Sequence, residues 1–253
     1  MCAPLTHGSN EWVAGAPGAD GRLQLFCFPY AGAGTALFAS WQRALPEVAV
    51  RPIRLPGREA RLSEPAFTSV HPLVESLAEA LEPELARPFA LFGHSLGAIV
   101  SFELARRLRR LGRPRPRLVV VSAQSAPHVP SPRPPIYDLP EDEFLAAIAN
   151  FGGTPPAVLA DRELLALVVS TLRADLTVTD TYRFTPEPAL ESPIAMFGGR
   201  DDPLVPEEEL VAWREHSTRP DGVHLFDGGH FYVHERRDRF LAELAEVVRA
   251  HAA

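Results

Sequence analysis

The chain has 253 residues, 46% of them hydrophobic, and carries a formal net charge of −7. That length suffices for one large buried core, and the acidic balance argues against general nucleic-acid binding. Apolar runs such as Leu118–Val121 are far too short to span a bilayer, and the N-terminus lacks a basic region followed by an apolar stretch, so a cytoplasmic protein without membrane contact is expected.

Residues 1–21 are polar with Gly and Pro and read as a loose N-terminal arm. Residues 23–29 (LQLFCFP) read as a strand, 38–45 as a short helix, 48–57 as a strand entering a loop, and 69–83 as an amphipathic helix. Residues 89–95 (FALFGHS) read as a buried strand, followed at once by the helical run LGAIVSFELARRLRRLG. Further strands are expected at 117–125, 194–202 and 222–229, with helices at 206–217 and 237–253. Apolar strands alternating with helices imply an α/β fold, with a mostly parallel sheet covered by helices on both faces. Residues 126–190 break that alternation. They open on APHVPSPRPPIYDLP, too rich in proline for sheet or continuous helix, and continue as helices with no strand. The expected division is a core of 22–125 and 191–253 with 126–190 as a helical lid over the carboxyl edge of the sheet; an ordinary packed subdomain is the plainer reading.

The cysteines, Cys2 and Cys27, lie one at the terminus and one in an apolar strand. No disulfide is expected, which fits a reducing compartment. All 25 basic residues are arginine, which reads as a GC-rich coding sequence. No His and Cys spacing suggests a metal site.

The chemistry centres on Gly93-His94-Ser95-Leu96-Gly97, a G-x-S-x-G between a strand and a helix. A sharp turn there strains its central residue and brings chain close, and the flanking glycines leave room. The hydroxyl is held out at the end of the strand, near the N–H groups of the following helix. A serine hydroxyl needs a base and an orienting carboxylate, and in such sheets the chain order is Ser, Asp or Glu, His. Past a later strand, GGRDDPLV supplies Asp201 and Asp202; Asp202 is preferred because it precedes the Pro-Leu-Val turn. Past the next strand, FDGGHFYVHE supplies His230 in a glycine setting. Its rival His234 reads as a surface residue, and His94 as a support of the turn. An oxyanion needs two backbone N–H donors: Leu96, and Ala31 (or Tyr30) in the glycine-rich loop FPYAGAG at 28–34.

With these segments in view, LFCFPYAGAG, IRLPGREAR, FALFGHSLGA, FGGTPPAVL, LRADLTVTDTYRF, GGRDDPLV and FDGGHFYV resemble, in order, the motifs of type II thioesterases of polyketide and nonribosomal peptide synthesis. The resemblance covers about residues 22–250. Tyr30 stands where many members have histidine, and Ala33 where glycine is frequent. The resemblance implies an α/β-hydrolase fold with a helical lid, and hydrolysis of acyl groups from the phosphopantetheine arm of acyl or peptidyl carrier proteins. Ser95 would form the acyl-enzyme, His230 would act as base and Asp202 would orient it. No cofactor is implied, since the phosphopantetheine arm belongs to the substrate; a monomer is expected.

The residues alone support less, because a triad cleaves esters, amides and thioesters alike. A small-molecule carboxylesterase is the first alternative, although the oxyanion loop lacks an HGGG run. A cyclising thioesterase from a larger synthase and a non-catalytic binding protein are the others. The arginine-rich stretch 106–117 could steer an acidic carrier protein, yet reads more simply as a solvated helix face. Phe144, Ile148, Phe151 and Leu159 either shape an acyl chamber or pack within the lid.

Overall fold

The computed structural model describes residues 10–15, 22–131, 133–151 and 162–252. Six strands form one parallel sheet: β1 (Gln24–Phe28), β2 (Ala49–Pro52), β3 (Phe89–His94), β4 (Val119–Ser122), β5 (Ile194–Gly199) and β6 (Pro220–Phe226). Their spatial order is β2-β1-β3-β4-β5-β6, and every pairing is parallel. Each expected strand is present: β1 to β5 are shorter than expected at one or both ends, and β6 starts two residues earlier and ends three residues earlier than expected.

Strand residues alternate between two cores. Phe26, Phe28, Leu91, Val119, Val121, Ile194 and Met196 face one side. There they meet α2 (Val70–Leu81) and α3 (Leu96–Arg110). Leu25, Cys27, Phe92, Val120 and Phe197 face the other, where they pack on α1 (Trp41–Ala44) and the closing helix Arg237–Ala250. The period of two along each strand thus feeds both faces. Cys27 is buried and free.

Between β4 and β5 the described residues hold two helices and no strand: α4 (Glu141–Phe151) and α5 (Arg162–Thr181). They share a small core of Ile136, Phe144, Ile148 and Leu176. After β5 come the short α6 (Glu207–Val211) and a 3₁₀ turn through His216, where one helix over 206–217 is expected; α7 (Tyr232–Glu235) and α8 (Arg237–Ala250) follow β6.

Two expectations are corrected. Within the N-terminal arm, residues 10–15 are docked rather than loose. Trp12 and Val13 are buried, Val13 bridges to Ile53, and the Arg61 guanidinium lies 4.1 Å from the centre of the Trp12 ring. The apolar pair has a core to enter, and this outweighs the polar residues around it. The arginine stretch 106–117 is likewise not a simply solvated face. Arg106 is 3% exposed and bonded to Glu103, while Arg109 and Arg110 both reach Glu187, and Arg113 reaches Glu82. Glu103 is three residues from Arg106 on the same helix, whereas Glu187 and Glu82 lie far away in sequence, so those pairs leave no trace in the local pattern.

Candidate active site

The strand order reverses direction between β1 and β3, and the carboxyl ends of neighbouring strands at such a switch point form a crevice. Phe28 at the end of β1 is in register with Gly93 near the end of β3. The loop after β1 and the turn after β3 therefore flank the same crevice.

Ser95 occupies the turn between β3 and α3 with φ 54° and ψ −117°. This is left-handed backbone that a residue with a Cβ adopts only under strain. Two glycines permit it. A Cβ on Gly93 would overlap the Gly97 carbonyl, and one on Gly97 would overlap the Phe28 carbonyl. The turn is locked by Ser95 N–H donating to the Ser122 carbonyl at 2.8 Å and by Ala98 N–H donating to the Ser95 carbonyl at 2.8 Å. Leu96, the first residue of α3, lies beside it with its side chain in the core.

His230 sits on the loop after β6. Its Nδ1 donates to Asp202 Oδ2 at 2.8 Å, and the Asp202 side chain is completely buried. The other carboxylate oxygen accepts the Leu204 N–H at 2.8 Å, so the carboxylate is held at both ends. With Nδ1–H committed to a carboxylate, Nε2 carries the lone pair. The neighbouring Asp201 is exposed and accepts from the Gly228 N–H at 3.4 Å. Adjacent residues on a turn point different ways, and Asp202 is the one turned toward His230.

His94 is fully buried and has a supporting position. Its Nε2 lies 3.0 Å from the His230 carbonyl, its Nδ1 2.8 Å from Ser122 Oγ, and Ser122 Oγ lies 2.5 Å from the Tyr232 hydroxyl. A carbonyl can only accept, so His94 Nε2 carries the hydrogen and Nδ1 accepts from Ser122, which accepts from Tyr232. Burial, and next the nearby His230, hold the His94 pKa well below the ordinary imidazole value. It remains neutral and anchors the His230 backbone. Ser122 and Tyr232 escape sequence reasoning. The only local sign is a tyrosine two residues after His230, and nothing marks Ser122.

Ser95 and His230 line one cavity of about 1070 Å³, together with Ala31, Ile99 and Leu176. Its further wall comes from the segment between β4 and β5. Ile148 and Phe151 line it, whereas Phe144 is fully buried between α4 and α5 under the Arg173 guanidinium. Leu159 lies outside the described residues. His234 is exposed and lies 3.0 Å from the Tyr30 hydroxyl. Among the described residues no group of His, Cys, Asp and Glu is arranged to hold a metal ion, and no helix is long and apolar enough to cross a membrane.

Such a site can do acyl chemistry: a hydroxyl on a strained turn, an imidazole with its lone pair free, and a buried carboxylate behind it. Comparison with known proteins agrees. Residues 23–250 match the thioesterase domain family. The chain is 38% identical to a Brevibacillus parabrevis protein named linear gramicidin dehydrogenase LgrE, over 92% of this chain and 90% of that one. Among solved structures, RedJ, a thioesterase from the prodiginine pathway of Streptomyces coelicolor, superposes with a TM-score of 0.85 at 38% identity, covering 91% of this chain and 87% of that one. The type II thioesterase BorB of the borrelidin biosynthetic cluster superposes at 0.84 with 32% identity, covering 96% and 98%. The shared architecture is that of the α/β-hydrolases.

Proposed function

The chain belongs to the thioesterase domain family, and from that premise we propose that it is a type II thioesterase. It hydrolyses aberrant or stalled acyl groups from phosphopantetheine thioesters on carrier proteins of polyketide or nonribosomal peptide assembly. Ser95 Oγ attacks the thioester carbonyl while His230 Nε2 takes its proton. The tetrahedral intermediate places its oxyanion between the N–H groups of Leu96 and Ala31. The C–S bond then breaks, the thiol leaves with the proton from His230, and an acyl-Ser95 ester remains. Water attacks that ester, again with His230 as base, and frees the carboxylic acid. Asp202 orients His230 and stabilises its charged form.

The observation that carries this reading is the 2.8 Å Asp202–His230 bond beside a strained Ser95 on one cavity. The likeness to BorB supports the type II assignment. The dehydrogenase in the name of LgrE stays with that protein; the side chains gathered here are those of acyl transfer. Residues 126–190 serve as the lid over the acyl chamber. A thiol leaves readily, its pKa being about 8.5, so His230 need give only modest acid assistance.

The test is deacylation of a carrier protein bearing short acyl groups on phosphopantetheine, followed by intact mass, with Ser95→Ala as control. Rapid release that disappears in Ser95→Ala is expected. Release unaffected by Ser95→Ala would overturn the triad, and slow release with fast cleavage of simple esters would make the protein a carboxylesterase.

A further inference from the structure

The loop after β1 is tied to α5 by a buried ion pair that the acyl-transfer mechanism leaves unused. Ala33 N–H donates to the Tyr30 carbonyl at 3.0 Å, and Gly32 has φ 78°. Tyr30–Ala33 is thus a turn whose third residue needs the left-handed region, as a type II turn demands. In that turn the peptide between Ala31 and Gly32 presents its N–H outward, and the Gly32 N–H donates to Asp175 Oδ2 at 2.7 Å. Asp175 lies on α5 and is 3% exposed. Its two oxygens also accept from Arg58 Nη1 at 2.8 Å and Nη2 at 2.7 Å. Arg58 in turn donates to the Ala33 carbonyl at 2.9 Å. One turn of helix earlier, the Thr171 hydroxyl donates to the Gly57 carbonyl at 2.7 Å.

We propose that Asp175, held by Arg58, is a positioning residue that fixes the Tyr30–Ala33 turn through its Ala31–Gly32 peptide, and so holds the preceding peptide, which carries the Ala31 N–H, in place at the reacting carbonyl. The inference rests on the assignment of Ala31 as an oxyanion donor. The physical reason is that a short glycine turn has two peptide orientations close in energy. In one, the Gly32 N–H meets a buried carboxylate. In the other, that carboxylate loses a donor in a site from which water is largely excluded, and the lost hydrogen bond is charge-assisted. Donor geometry is what an oxyanion hole supplies, and it acts only if it is fixed before reaction. Arg58 neutralises the carboxylate and holds the far side of the turn, so both faces of the loop are clamped.

Single substitutions would strand a buried charge, so the test uses two neutral double variants. Arg58→Met with Asp175→Asn keeps an amide oxygen for the Gly32 N–H. Arg58→Met with Asp175→Leu has nearly the same shape and no acceptor. With a short acyl thioester of N-acetylcysteamine, kcat is expected to be at least about tenfold lower for the leucine variant than for the asparagine variant. KM and melting temperature should be alike in the two. Equal kcat values would overturn the proposal. If neither variant folds, amide exchange of the wild-type chain decides: a Gly32 amide protected like those of β1 is expected, and loop-like fast exchange would overturn it. Activity that survives Ser95→Ala would instead refute the triad and oxyanion reading, a separate failure.

Discussion

At the scale of single residues, the site depends on which of two adjacent aspartates turns inward. Asp202 is buried and bonded to His230, and Asp201 is exposed. Asp202→Asn is expected to lower kcat at least about a thousandfold, because the amide favours the wrong imidazole tautomer. Asp201→Asn should stay within about twofold of wild type, its carboxylate having only a long contact with a backbone N–H in a solvated turn. Steady-state kinetics on one thioester compares the two, and equal losses would mean that the turn as a whole, and not one carboxylate, supports the base. His94 is the opposite case: an imidazole beside Ser95 in sequence that is buried, neutral and engaged through both nitrogens.

At the scale of elements, the close packing of α3 on the end of β1 sets the position of Ser95. Gly97 lies where a Cβ would enter the Phe28 carbonyl, and backbone cannot yield as a flexible side chain can. Gly97→Ala is expected to cost about 2–4 kcal/mol of stability, read as a lower urea midpoint. Its kcat should fall as well, since relief requires the helix to shift away from the oxyanion loop. A variant as stable and active as wild type would mean that α3 can slide without moving Ser95. The cover shows the same logic. Ile148 and Phe151 reach the cavity while Phe144, on the same helix, packs inward. Phe144, Ile148 and Phe151, at i, i+4 and i+7, share one face of α4, and the end of that face nearer Phe151 also reaches the cavity.

At the scale of the whole molecule, buried imidazoles couple folding to pH. His216 is packed against Phe102, Phe184 and Trp213. Burial first, then His128 and Arg106, push its pKa from 6.5 down to about 4. Between those values the unfolded chain binds the proton and the folded chain does not. Stability from this group is therefore complete above about pH 6.5 and is lost as pH falls toward 4. Stability should therefore fall from pH 7 to pH 5 through His216, which is hydrogen-bonded to His128, and His94 adds in the same direction. Urea unfolding at both pH values checks it: His216→Phe should narrow the difference, and an unchanged difference would show that His216 is not the titrating group. The arginine stretch also belongs to this scale, since its partners Glu82 and Glu187 come from distant segments.

What the sequence determined by itself is whatever local pattern encodes. Short apolar strand runs and the glycines around Ser95 were readable because each rests on neighbours within a few positions, and the order Ser, Asp, His was readable because each residue follows a strand in its own local motif. The six strands, and the helices between β4 and β5 among the described residues, follow from the same short-range signals. Tertiary structure alone decided which aspartate faces His230, that Trp12 and Val13 dock, and that Arg106 is buried. It alone brought Tyr232 and Ser122 behind His94, and Arg58 and Asp175 behind the loop after β1. Those partners are separated by 28 to 117 positions, and their meeting depends on where the sheet and α5 place their ends. A hydrogen bond has direction and a reach of about 3 Å, so composition and periodicity carry no record of it until the chain has closed.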